Sequence, residues 1–290
     1  MDDELRKEVI RKAAIKANKG KRVVSPSVTP IYPAAIEREY QKLADEYIGC
    51  VKTVFLKHFG AVKAASKERT DDINDRDFTA IIRTAFADME VELTNVLNRF
   101  GLKRRLMRIA QRMNNHSAEE FVRMLKSVSI DVTKDMFMGD FFRRELEKWV
   151  EDNVNLISTL PHNTLSAMRK TCLNGWLEGK SITTITKEIR HSYKSVGKNH
   201  ARLIARDQTA KLSAKVNQSH QQAAGIKEYT WICCMDGRQR KDHEKLHNKK
   251  QSWDNPPIVD TRTGARAHPG EYFQCRCRAK PVIDLSVLDL

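Results

Sequence analysis

Gln221-Gln222-Ala223-Ala224-Gly225-Ile226-Lys227-Glu228-Tyr229-Thr230-Trp231-Ile232-Cys233-Cys234 is where this chain changes character. Upstream, apolar residues recur at helical spacing, and Lys198 to Ala224 reads as one long helix. Gly225 then stands where a helix ends in the left-handed conformation that glycine tolerates. Beyond it, Ile226 to Cys234 is rich in β-formers and in part alternates, which predicts a strand. Asp236-Gly237 is a strong turn dipeptide. A short helix is expected over 242–247, and further short strands over 251–253 and 276–283. The expected fold is mainly α: a long-helix body followed by a small α+β C-terminal module.

Working outward toward the N-terminus, residues 34–199 read as a helical body. Tyr40, Leu43, Tyr47, Val51, Val54 and Phe55 keep a helix period, as do Phe78, Ile81, Ile82, Ala85, Met89 and Leu93. Ser117-Ala118-Glu119-Glu120 has capping-box spacing, which predicts a helix start there. Pro161 interrupts the pattern, Gly175 and Gly179 are expected to loosen a helix, and Ser181 or Thr183 can cap another. Residues 1–33 form a basic arm with a Pro-containing linker at Pro26, Pro30 and Pro33, expected either to move freely or to dock on a partner. Residues 200–290 make the third segment.

The chain carries 52 Lys and Arg against 37 Asp and Glu, a formal charge of +15. That surplus favours a polyanionic neighbour, most simply nucleic acid. No apolar run approaches the ~18 residues of a membrane span. The N-terminus has no secretory signature, so the chain is expected to be made and used in the cytosol. In a reducing compartment, metal binding is a better expectation than disulfides for the four cysteines of the last quarter.

Those cysteines lie among unusual motifs. Asp236-x-Arg238-x-Arg240-x-x-His243 reads either as a buried salt-bridge cluster or as an active or phosphate-binding site. The structural reading is favoured because no paired general acid and base stands out. Cys275-Arg276-Cys277, with His268 and His243, offers ligand types suited to zinc, although Cys-x-Cys is tighter than standard finger spacing. Cys233-Cys234 can add a ligand. The alternatives are packed thiols or a redox pair. Arg206 and Asp207 point about 100° apart on their helix, so they do not simply pair with each other; each can reach toward the terminal module, and the alternative is a solvated helix face, which Lys211 and Lys215 suit.

Taken in order, Ala205-Arg206-Asp207-x-Thr209, Ala224-Gly225, Tyr229-x-Trp231, Asp236-x-Arg238-x-Arg240-x-x-His243, Ser252-Trp253, Pro256-Pro257, His268-Pro269-Gly270 and Cys275-Arg276-Cys277 resemble the C-terminal domain of phage Mu protein F-like minor head proteins, a head-morphogenesis family. The resemblance covers residues 200–285, so the third segment is expected to be a Mu F-like domain. It implies a minor capsid protein of a tailed phage or prophage, non-enzymatic, inside the phage head and in the host cytoplasm during assembly. The implied partners are the portal protein, scaffold or major capsid protein, packaged DNA and further copies of the chain, with no membrane. The implied role is in head assembly, DNA packaging or DNA ejection. This family's domain also occurs fused to toxins; with the chain ending at Leu290, none is expected. The rival readings are a metal-dependent, nuclease-like enzyme delivered with the genome, and a DNA-condensing protein.

Overall fold

The computed structural model describes residues 3–67 and 75–290. Nine α-helices and six strands are found among them: α1 (Asp3–Ala17), β1 (Val23–Val24), α2 (Ala34–Lys67), α3 (Asp75–Phe100), α4 (Leu102–Lys126), α5 (Asp140–Ser158), α6 (Leu160–Leu177), α7 (Ile182–Ser192), α8 (His200–Ala223), β2 (Glu228–Ile232), α9 (Lys241–Leu246), β3 (Lys250–Ser252), β4 (Ile258–Asp260), β5 (Ala265–Arg266) and β6 (Arg278–Asp284). The fold is mainly α with a small α+β C-terminal module. Among the described residues no helix is long and apolar enough to cross a membrane.

Two compact units are present, and they interleave the three segments of the sequence. One unit comprises 1–37, 107–149 and 207–290; the other comprises 38–106 and 150–206. Among its described residues the second holds helices and no strand. Its core is the periodic stripe of α2, with Tyr40, Tyr47, Val51 and Val54 buried, set with Phe78, Ile82, Met89 and Leu93 of α3. Phe78 packs on Trp176 of α6 with ring centroids 3.8 Å apart. Gly175 does not loosen α6: a Cβ there would meet Ile185 Cγ1 of α7 at 2.8 Å, so the glycine permits close helix packing. Ser181 caps α7 by accepting the Thr184 N–H at 3.2 Å. Between α7 and α8 the backbone widens into a π-helical stretch, Tyr193–Asn199, so α8 begins two residues after the expected Lys198.

The first unit joins the two ends of the chain. Its sheet has the order β1-β6-β2-β3, antiparallel throughout the pairs. β1 pairs with the far edge of β6 through Val23–Asp284 and Val24–Ile283. Arg11 Nε donates to the Leu288 carbonyl at 2.7 Å, and Lys7 pairs with Asp289 at 2.6 Å. The basic N-terminal segment is therefore docked on its own C-terminus. Gly225, at φ +73, closes α8 with the Ile226 N–H on the Gln221 carbonyl and the Gly225 N–H on the Gln222 carbonyl, a Schellman end.

Ser117 does not start a helix, because α4 runs unbroken from Leu102 to Lys126. Its apolar residues on both sides of Ser117 keep one buried stripe, and burial of that stripe outweighs a local capping preference. Ser117 instead faces His220 of α8, with 3.3 Å between its hydroxyl and Nδ1. His220 is fully buried and packed by Phe121, Phe137 and Phe142. Burial pushes its imidazole down from the ordinary 6.5 to about 4.

The unfolded chain takes up a proton at His220 near the ordinary value, while the folded chain resists it to about 4. The stability carried by the neutral ring is complete above the unfolded value and is lost as pH falls through that window. Urea unfolding of the full chain should therefore lose up to about 1.4 kcal/mol per pH unit from this residue across the window. His220→Phe should flatten that part of the profile, and an unchanged slope would contradict the assignment. A second test concerns the helical unit, where the Tyr40 hydroxyl donates to Asn153 Oδ1 at 2.7 Å between fully buried groups. Tyr40→Phe should lower stability by about 1–2 kcal/mol.

Candidate functional site

The C-terminal module is built against α8 by one close approach. Gly270 has φ +93, and a Cβ on it would lie 2.7 Å from Ala214 Cβ and 3.3 Å from the Ala210 carbonyl of α8. Only glycine fits both the backbone angle and the gap. Next to it, Asp207 is buried and accepts the Gln274 N–H at 2.7 Å and the Lys211 ammonium at 2.7 Å. Gln274 itself sits at φ +56, so the carboxylate holds a turn that side chains seldom adopt. Gly270 and Asp207 together fix the loop that carries Cys275 and Cys277.

That loop delivers both thiols to His243 of α9. Cys275 Sγ lies 3.4 Å and Cys277 Sγ 3.6 Å from His243 Nδ1. Cys233, just past β2, lies 3.6 Å from Cys277, sulfur to sulfur. The four residues are 2–6% exposed. Backbone N–H groups of Gly270 and Cys277 both point at Cys275 Sγ, each at 3.4 Å. The Cys277 thiol beside it, then His243 and the Cys277 N–H, hold the Cys275 thiol well below the ordinary range, while Cys275 and burial push the Cys277 thiol up. Trp231 of β2 covers the imidazole edge-on, at 5.6 Å between centroids.

His268 is a correction to the expected ligand set. Its Nδ1 is 2.9 Å from the Tyr229 hydroxyl, and its ring packs edge-on against Trp253 at 4.9 Å. A histidine occupied in this way belongs to the aromatic core formed by Tyr229, Trp231, Trp253 and Val259, not to the thiol cluster. Its N–H on the main chain donates to Glu271 at 2.7 Å, which shapes the His268-Pro269-Gly270 turn; Pro269 is buried within it.

The Asp-Arg motif is divided among three places. Asp236 pairs with Arg238 at 2.8 Å and also with Arg276. Those hydrogen bonds, from Arg238 first and then Arg276, hold its carboxyl well below the carboxylate range. The expected buried salt-bridge cluster is instead open to water, with 28% of the Asp236 side chain and 64% of the Arg238 side chain exposed. The turn at Gly237 sets Arg238 at the surface, while the Arg276 side chain on the other flank of Asp236 is only 17% exposed. Arg240 lies over the Tyr272 ring at 5.1 Å. His243 alone enters the buried cluster.

The remaining signature positions are structural in their surroundings. Thr209 is buried on α8, Arg206 is half-buried and falls in the other compact unit, and Asp207 holds the Gln274 amide of the module. The Pro257 carbonyl accepts the Ala267 N–H at 3.2 Å at the mouth of the β4–β5 hairpin. Sequence reasoning missed Asp242. It accepts both the backbone N–H and the hydroxyl of Thr261, at 2.9 and 2.8 Å, tying α9 to that hairpin. Its position in the first turn of a short helix was the available signal.

Residues 166–280 match the family described as Phage Mu protein F like protein. This stretch is similar to that family. It contains α8, the glycine approach, the thiol cluster and the aromatic core. A curated relative from Haemophilus influenzae (strain ATCC 51907 / DSM 11121 / KW20 / Rd), described as an uncharacterized protein, is 28% identical over 173 residues, covering 59% of this chain. The matched region spans 36% of that relative's length. No solved structure matches the chain.

Gly270→Ala should destabilise the protein by about 1–3 kcal/mol, since it adds both backbone strain and an overpacked methyl. Asp207→Ala should cost a similar amount, about 1.5–3 kcal/mol, through loss of a charge-assisted hydrogen bond. Denaturant unfolding of the two variants checks this, and unchanged midpoints would contradict the role given to α8.

Proposed function

We propose that this chain is a minor head protein of a tailed phage or prophage that sits at the portal inside the head and serves head assembly, DNA packaging or DNA ejection. The observation that carries the reading is the Mu protein F like stretch over residues 166–280. Two physical features support it. A formal charge of +15 suits a compartment filled with DNA, where neutralising phosphate releases counterions. Long helices with alternating buried and exposed faces, α2 and α4 among them, suit docking along another helical surface such as a portal, a scaffold or another copy of the chain.

The nuclease-like alternative requires a metal-held water or a paired acid and base reachable by a phosphodiester. The best metal-ligand set among the described residues is buried and rich in thiolate donors, which suits a closed structural centre. This favours the structural reading over the enzymatic one.

Quantitative mass spectrometry of procapsids, DNA-filled heads and emptied heads from the source phage tests the proposal. The expected result is a few copies per particle, cross-linking to the portal protein, with any loss on emptying marking a part in ejection. Absence of the chain from all three particles would overturn the reading, and metal-dependent DNA cleavage by the purified chain would replace it with the enzymatic one.

A further inference from the structure

The thiol and imidazole cluster is more than dense packing. Its donors come from three separate places: Cys233 after β2, His243 in α9, and Cys275 with Cys277 in the loop before β6. The ligand atoms of His243, Cys275 and Cys277 all lie within 4.8 Å of one another. Zinc bonds to sulfur at ~2.3 Å and to imidazole nitrogen at ~2.0–2.1 Å, which in a tetrahedron sets sulfur–nitrogen edges near ~3.5 Å and sulfur–sulfur edges near ~3.8 Å. The observed sulfur–nitrogen separations are 3.4 and 3.6 Å, and the Cys277–Cys233 sulfur separation is 3.6 Å. Three of the edges thus have the dimensions of a zinc tetrahedron.

The surroundings point to the same ion. Soft sulfur and imidazole donors with no carboxylate in the group exclude calcium and magnesium as natural occupants. The Gly270 and Cys277 N–H groups, both aimed at Cys275 Sγ, are the donors that a metal-bound thiolate needs. Nδ1 is the imidazole nitrogen that faces the sulfurs, while Nε2 is buried with no hydrogen-bond partner.

We propose that His243 Nδ1 and the thiolates of Cys275, Cys277 and Cys233 bind one zinc ion that closes the C-terminal module. Cys233 completes the set by turning its side chain toward the other three. Binding is not a redox step: each coordinating thiol gives its proton to solvent and its sulfur lone pair to the ion, and the imidazole coordinates through a neutral nitrogen. Metal affinity therefore falls as pH falls. The closed, buried site makes the ion structural, with no position left for water.

The test uses the full chain, without a polyhistidine tag, purified under reducing conditions and free of chelator. Elemental analysis should give one zinc per chain. Replacement by cobalt should give thiolate-to-cobalt charge transfer in the near ultraviolet and strong visible bands of a tetrahedral ion. X-ray absorption of the zinc form should give three sulfur ligands and one nitrogen ligand. Cys277→Ser should lose the metal, whereas His268→Gln should keep it. Should Cys277→Ser fail to fold, His243→Cys provides an independent arm: it should keep the zinc and change the cobalt spectrum to that of four sulfurs. A folded chain that takes up no zinc after reduction would overturn the proposal. So would two sulfur ligands or fewer in the absorption spectrum, or zinc retained in full by Cys277→Ser.

Discussion

The approach of Gly270 to α8 is the constraint on which the C-terminal module depends. The strands there are short, with two to seven residues each, and a sheet of that size buries little on its own. The missing side chain at Gly270 lets the loop descend onto Ala210 and Ala214. Asp207 holds the loop one turn further along through the Gln274 amide. With both contacts made, Cys275 and Cys277 arrive under His243, and Trp231 covers the imidazole. These contacts tie the segment from Gly270 to Cys277 to the middle of α8 and to β2, so the three are expected to open as one piece.

Where local pattern and tertiary packing agree, the sequence was easy to read. The helical stripes of α2 and α3, the Gly225 helix end, the strand at β2, the turn at Gly237 and the short helix α9 all follow from periodicity and turn chemistry acting within a few residues. Ser117 failed because a capping signal is local, while the buried stripe of α4 continues through it. Gly175 failed for a related reason: its small size serves Ile185 on the next helix, and nothing within α6 reveals that. The docking of β1 on β6 joins positions more than 250 residues apart, and a two-residue strand has no period to detect.

The candidate site was legible in its residue types but not in its grouping. His243, Cys275 and Cys277 stand out as ligands from composition and spacing. His268 carries the same chemistry, and only the hydrogen bond from Tyr229 assigns it to the aromatic core. The Asp236 cluster was expected inside because guanidinium and carboxylate pairs can be buried; the glycine turn puts it at the surface instead. The division into signature residues that face the core and signature residues that face water gives the Mu protein F like stretch two kinds of work. One packs the module together, and the other leaves Arg238 and Arg240 on its outside.

Amide hydrogen exchange of the full chain, resolved residue by residue, tests the central claim most directly. If the loop, α8 and β2 form one cooperative piece, the amides of Gly270, Gln274 and Cys277 exchange within about tenfold of those of Tyr229 and Trp231, because all open together. Exchange at Gly270 and Cys277 that is faster by orders of magnitude, with β2 still protected, would contradict the account: the thiol loop would then be a separate, loosely held connection.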